Sequence, residues 1–158
     1  MNHSIVAATY EHVEQLVPRM RTADLREIAA ATGSDPEAAL AISVGSSPVA
    51  WAWLYKGRVM ALFGVAPYPG RPGVGIPWLL GAKGADKHKI FFLRQSRKYL
   101  TEMLALFPVL ENWVDCRNTA SIQWLSWMGF AMCEVRPFFG IQRLPFIRFN
   151  IAKEPSHV

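Results

Sequence analysis

A turn rich in glycine and lysine, Gly81, Ala82, Lys83, Gly84, Ala85, Asp86 and Lys87, stands ahead of the longest helical pattern in the chain. Backbone N–H groups in such a turn, with a helix start behind them, suit a phosphate or another anion. Asp86 puts a negative charge in the same place, which Lys83, Lys87 and Lys89 can offset, and a solvated turn with a basic rim fits the same residues. The preceding run, GVGIPWLLG, holds no carboxylate that could serve as a base. Asp115 and Glu134 are the only carboxylates in or beside the C-terminal strands, and both suit ion pairing better than proton transfer. Of the four histidines, His3, His12 and His157 lie near the termini and His88 lies at the start of the long helix. No His/Cys/Asp/Glu spacing fits zinc, and there is no G-x-S-x-G, Walker loop or dinucleotide fingerprint. The expectation is therefore no catalytic residue and no metal ligand.

These residues need elements to position them, and the pattern supplies an order of β-α-α-α-β-β-β-α-β-α-β-β. A first strand is expected over residues 4–8, and a first helix follows Thr9 and stops near Pro18. A second helix covers 21–31, with Leu25, Ile28 and Ala29 as its apolar face. A third opens at Asp35-Pro36-Glu37 and runs to Val44, followed by a loop over 45–48. Strands at 49–55 and 58–65 are joined by Lys56-Gly57, a tight hairpin signal. The strand at 74–80 contains Pro77, which removes a ladder donor and predicts a bulge or a splay there. The long helix begins at Asp86 or Lys87 and ends before Pro108, with Phe92, Leu93, Leu100, Met103, Leu104 and Phe107 as its core stripe. A buried strand at 113–116 leads through Arg117 and Asn118 into a short helix that Gly129 stops. Strands at 131–136 and 142–151 close the pattern.

The 158 residues suit one domain over 1–152 with a frayed tail over 153–158. Half of the residues are apolar and 12% are aromatic, which excludes a disordered chain. No apolar run reaches the roughly 18–20 residues of a membrane span, and the N-terminus lacks the pattern of a signal peptide. Cys116 and Cys133 are expected as free thiols. The net charge of +5 favours an acidic partner or a mildly basic surface. The stripe of Arg94, Arg97 and Lys98 supports nucleic-acid binding only weakly against a solvated helix face.

The stretch NWVDCRNTASIQWLSWMGF resembles the C-terminal motif of the GNAT N-acetyltransferase superfamily, whose pattern is N-x-x-A-x-x-x-Y-x-x-x-G-F. Asn118, Gly129 and Phe130 match it, Ser121 stands for the Ala and Leu125 for the Tyr. The resemblance implies an α/β (α+β) fold whose mixed central sheet is splayed in the middle and flanked by helices. It also implies an acyl-CoA site: Trp78, Leu79 and Leu80 offering backbone to the pantetheine arm, Gly81 to Ala85 with Lys87 as the phosphate loop, and Asn118 beside the cofactor. The glycines here do not satisfy the family's Q/R-x-x-G-x-G/A pattern, and Leu125 cannot replace the tyrosine that usually protonates the leaving thiolate.

MRTADLREIAAATGSDPEAAL, GVAP, IPWLLG, ENWVDCRNTASIQWLSWMGF and FIRFNI together resemble a narrower group, the small GNAT-like internal virion or virion-assembly proteins of short-tailed (podovirus-type) bacteriophages. That resemblance implies a virion-associated or host-cytoplasmic accessory protein that acts by contacts with phage structural or internal virion proteins, leans against catalysis and requires no cofactor. The alternative is an acetyl-CoA-dependent N-acetyltransferase with atypical site residues.

Overall fold

The computed structural model describes residues 2–154, so most of the expected tail lies outside the described residues. The elements are β1 (His3–Ala7), α1 (Tyr10–Leu16), α2 (Thr22–Ala31), α3 (Pro36–Ser46), β2 (Val49–Tyr55), β3 (Arg58–Pro67) and β4 (Val74–Gly81). After these come α4 (Lys89–Leu106), β5 (Val109–Asp115), α5 (Thr119–Met128), β6 (Ala131–Phe139) and β7 (Leu144–Ala152). Short 3-10 turns at Val17–Arg19 and Ala85–His88 precede α2 and α4. The first absorbs Pro18, whose missing N–H is harmless at a helix start.

Among the described residues the strands form one mixed sheet in the order β1-β2-β3-β4-β5-β7-β6, and only the β4–β5 pair is parallel. A parallel pair needs a crossover, which α4 supplies. One face of the sheet packs on α4 and α5 through Trp53, Phe63, Phe92, Leu100, Met103 and Phe149. The other packs on α1 to α3 through Val13, Leu16, Leu40, Ala52 and Leu62. Alternation along β3 explains the split: Leu62 and Phe63 point to opposite faces.

Several boundaries differ from the pattern. Helix α3 extends through Gly45 and Ser46, because Ser46 and Ser47 hydroxyls donate to the carbonyls of Ile42 and Ser43 and hold the last turn. Strand β5 begins at Val109, since Pro108 ends α4 and residues 109–112 pair with β7. Pro77 causes no bulge: β4 pairs with β3 in unbroken register from Gly75 to Gly81. The Pro77 carbonyl points away from β3, toward β5, where it accepts from Asn112 Nδ2 at 2.8 Å. A residue's N and C=O share one edge of a strand, so the donor that Pro77 lacks would also have faced β5 and the β3 ladder loses nothing. The irregularities fall instead at Trp53/Leu54 in β2 and twice within β6. Lys153, at the start of the expected frayed tail, is tied by its N–H to the Pro108 carbonyl at 2.7 Å.

Candidate functional site

Strands β4 and β5 pair only at Val74↔Val109 and Gly75↔Leu110, then diverge. Gly75 makes that vertex possible, because a Cβ there would stand 2.6 Å from Val65 Cγ2 and 2.8 Å from the Phe107 ring. Beyond the vertex, apart from the Asn112 bridge to Pro77, the edge of β4 from Trp78 to Leu80 has no strand beside it. The result is a slot, with a pocket of about 160 Å³ whose lining comes from both faces of the sheet. Trp78, Leu79, Leu80 and Asn112 line it in the slot, Ser121, Trp124 and Leu125 from α5, and Phe92, Tyr99, Leu100 and Met103 from α4.

Helix α2 spans the open end of the slot with two carboxylates one turn apart. Asp24 Oδ2 accepts from the N–H of Gly81, the last residue of β4, at 2.8 Å. Glu27 Oε1 accepts from the N–H of Asp115, the last residue of β5, at 2.9 Å. One helix thus holds the ends of both diverging strands and sets their separation. Spacing of i, i+3 puts Asp24 and Glu27 on one side of α2, which makes this possible.

Burial raises the Glu27 carboxyl from 4.5 to about 7; the Asp24 and Asp115 charges push the same way, while the Asp115 N–H and Asn118 oppose. Burial also raises Asp24, against the pull of Arg21, whose guanidinium lies 3.5 Å away. Burial pushes Asp115 up too, but the side chain and N–H of Arg117 outweigh it and hold Asp115 below its ordinary value. The slot mouth therefore contains an ion-paired carboxylate and, lining the pocket, a carboxylate that titrates near neutrality.

The residues expected to bind a cofactor fall into three groups. Trp78, Leu79 and Leu80 line the slot, and the Trp78 indole donates to Ser47 Oγ at 2.8 Å. Gly81 and Ala85 line a second pocket of about 170 Å³, with Leu79, Arg21, Asp86, Lys89, Gln123 and Trp124. Ala82, Lys83, Gly84, Lys87 and Asn118 line neither. The N–H groups of Ala82, Lys83, Ala85 and Lys87 are already engaged by the carbonyls of Met60, Arg19, Ala82 and Gly84. Gly84, at φ +84, turns the chain into the 3-10 segment. Asn118 is buried, caps α5 by accepting from the Ser121 N–H at 3.4 Å, and also interacts with Asp24 and Glu27. Lys89 and Arg21, outside the expected set, are the cations that reach the second pocket.

Sequence reasoning missed Glu27. Within DLREI it reads as a polar residue flanking an apolar stripe, and only the crossing of α2 over the strand ends brings it to the slot. The i, i+3 carboxylate pair was the available signal. Asp115 and Glu134 are paired as expected, with Arg117 at 2.7 Å and Arg148 at 2.8 Å. Both cysteines are free. Among the described residues there is no cluster of metal-ligating side chains, and no helix is long and apolar enough to cross a membrane.

This architecture, a mixed sheet parted between its one parallel pair and flanked by helices, is the GNAT acyl-CoA N-acyltransferase fold. The chain is similar over its whole length to yncA, a putative acetyltransferase from Salmonella typhimurium solved with acetyl-CoA (TM-score 0.71, 14% identity, 100% of this chain and 98% of that one). It is similar to a GNAT superfamily phosphinothricin acetyltransferase from Sinorhizobium meliloti in complex with acetyl-CoA (TM-score 0.73, 14% identity, 99% and 95%). It also resembles Ard1 from Thermoplasma volcanium (TM-score 0.77, 11% identity, 98% and 100%). Identities this low make the likeness one of fold. No protein-family model and no curated protein matches the sequence.

Proposed function

We propose that the protein is an acetyl-CoA-dependent N-acetyltransferase with atypical site residues. The observation that carries this reading is the slot itself: β4 keeps an unpaired edge from Trp78 to Leu80 beside a pocket that Glu27 enters. An unpaired strand edge offers N–H and C=O groups to an amide-bearing arm, as a neighbouring strand would. Arg21 and Lys89 in the adjoining pocket would hold phosphates. Asp86 in that pocket opposes them and weakens the grip.

When bound, acetyl-CoA supplies an activated acyl group. The protein's own task is to deliver a neutral amine. An alkyl ammonium has no lone pair, so a base must take its proton before attack. Glu27, titrating near 7 at the pocket wall, has the basicity for this at neutral pH. Leu125 leaves α5 without the usual donor to the leaving thiolate, and delivery of the neutral amine for attack is the step that Glu27 governs.

The test is release of free coenzyme A thiol from acetyl-CoA with a panel of primary amines, confirmed by mass spectrometry of the acetylated product. Turnover with one amine class supports the proposal; absence of product from all of them at high protein concentration overturns it. The narrower reading, a phage virion-assembly protein acting by contacts, rests on the sequence resemblance. Val135, Phe138 and Ile141 favour it, as large apolar side chains exposed on edge strand β6 and the turn after it. The acetyl-CoA-bound neighbours support the enzyme reading more strongly.

A further inference from the structure

Helices α1 to α3 cover only part of their side of the sheet. The apolar cluster beneath them draws on β2, β3 and β4 through Ala52, Leu54, Val59, Leu62, Trp78 and Leu80, and on no residue of β5, β7 or β6. On that side β5 presents Glu111, Trp113 and Asp115, since Leu110 and Val114 belong to the core under α4 and α5. Phe146 and Arg148 of β7 and Arg136 and Phe139 of β6 lie beside them. Helix α2 borders this face. Its Glu27 accepts from the Asp115 N–H, and its last carbonyls, Ala31 and Ala30, accept from the N–H groups of Ile141 and Gln142 in the turn after β6.

Every charged side chain on these three strands but one is in an ion pair. Glu111 binds Arg71 at 2.6 Å and Arg148 at 2.8 Å, Arg148 also binds Glu134 at 2.8 Å, and Asp115 binds Arg117 at 2.7 Å. Arg136 has no ionic partner among the described residues. Its exposed guanidinium lies 4.7 Å from the centre of the Trp113 ring, and Trp113 lines the slot pocket together with Glu27. A guanidinium resting on an indole is held in place while its N–H donors stay available at the rim. Phe139 stacks on Trp113 at 5.1 Å and on Phe146 at 4.5 Å, which stiffens that support.

The sheet register fixes how far this cation stands from the slot. Asp115 pairs with Phe146, and Phe146 with Arg136, so the three form a row across β5, β7 and β6. Two strand spacings separate the backbones of Asp115 and Arg136 by roughly 10 Å. Glu27 stands at the Asp115 end of the row, and the Arg136 side chain leans back over Trp113 from the other. A carboxylate and a free guanidinium thus face one aromatic surface from opposite ends.

We propose that Arg136 selects the acceptor, and that the open face beside the slot takes a primary amine carrying a carboxylate several bonds from its nitrogen, the amine at Glu27 and the carboxylate at Arg136. This rests on the N-acetyltransferase reading and names its acceptor class. The planar fork of Arg136 suits a carboxylate, which it can bind through two parallel N–H donors. An α-amino acid is too short for this span, because a single carbon separates its carboxylate from its nitrogen.

The experiment measures kcat/KM for acetyl transfer from acetyl-CoA to δ-aminovalerate, to pentylamine, which has the same number of carbons without the acid, and to glycine. δ-Aminovalerate is expected to exceed each of the others by at least about tenfold, the worth of one charge-assisted bond, with the advantage over pentylamine expressed mainly in KM. Arg136→Gln should bring the ratio of δ-aminovalerate to pentylamine toward one. Arg136→Lys keeps a cation over the indole but loses the fork, and its ratio should fall between the two. Both variants are checked for folding by circular dichroism. Equal kcat/KM for δ-aminovalerate and pentylamine, or turnover only with amines that carry no acid, overturns the inference while leaving the N-acetyltransferase reading intact. No turnover with any amine overturns both. A wild-type ratio in either folded variant places the carboxylate elsewhere and refutes the assignment.

Discussion

Replacing Glu27 by Gln separates the charge of this residue from its structural bond, because a glutamine oxygen can still accept from the Asp115 N–H. In the native protein burial raises the Glu27 carboxyl from 4.5 to about 7. Below pH 4.5 folded and unfolded chains both hold the proton, and the full stability is present. Between 4.5 and about 7 the unfolded chain releases it while the folded chain keeps it, so stability falls as pH rises. Above pH 7 the loss is complete. The full shift corresponds to about 3 kcal/mol. Glu27 is half-buried and reached from the pocket, so water screens its charge and about 1–2 kcal/mol is the expected effect. Urea denaturation of both proteins at pH 5 and pH 8 measures it. Glu27→Gln should gain about 1–2 kcal/mol relative to wild type on going from pH 5 to pH 8. Asp24, also raised, keeps its burial and its Arg21 partner in both proteins, and its repulsion of Glu27 is part of the difference measured. Parallel stability profiles would refute the assignment of a strained, near-neutral carboxylate at this site. The same variant should lower acetyl transfer by about a hundredfold and abolish the rise of rate through pH 7.

Gly75→Ala should cost about 1–3 kcal/mol in urea denaturation, because its Cβ would press on Val65 and Phe107 at the vertex of the slot. Asn112→Ala removes the side-chain bridge from β5 to β4 and leaves the Pro77 carbonyl without that donor; a loss of about 1 kcal/mol is expected by the same assay. Gly129→Ala, at φ +105 where α5 ends, should cost about 1 kcal/mol and lower the melting temperature, read by circular dichroism. Glu111 accepts from Arg71 at 2.6 Å and from Arg148 at 2.8 Å; burial raises its carboxyl, but the two arginines prevail and hold it below 4.5. Its contribution to stability is present above pH 4.5 and lost as pH falls through the lower folded value, so Glu111→Gln should flatten the acid limb of a stability profile.

Much of this architecture is legible in the residues. Helix α5 is bounded by Asn118 and Gly129, whose side-chain cap and left-handed conformation act locally, so its limits follow from sequence alone. The hairpin at Lys56-Gly57 is equally local. Pro77 pointed to the splayed strand, but which edge its missing donor faces depends on pairing with β3, and that is not local. Strand β5 starts early because residues 109–112 gain a partner in β7, about forty positions later. The site divides in the same way. Trp78 to Leu80 could be placed at the slot because strand and loop are consecutive. Glu27 could not, since its neighbour Asp115 lies 88 positions away and its basicity arises from burial that only the packed α2 creates.

The central claim is that the parted β4 and β5 hold an acyl-CoA thioester, and calorimetric titration of the wild-type protein with acetyl-CoA tests it most directly. Binding in the micromolar range, weakened by Lys89→Glu in the second pocket, is the result this account predicts. No heat at millimolar acetyl-CoA, together with no thermal stabilisation where a native-state ligand at about 100 times its Kd would add about 2.7 kcal/mol, would contradict it.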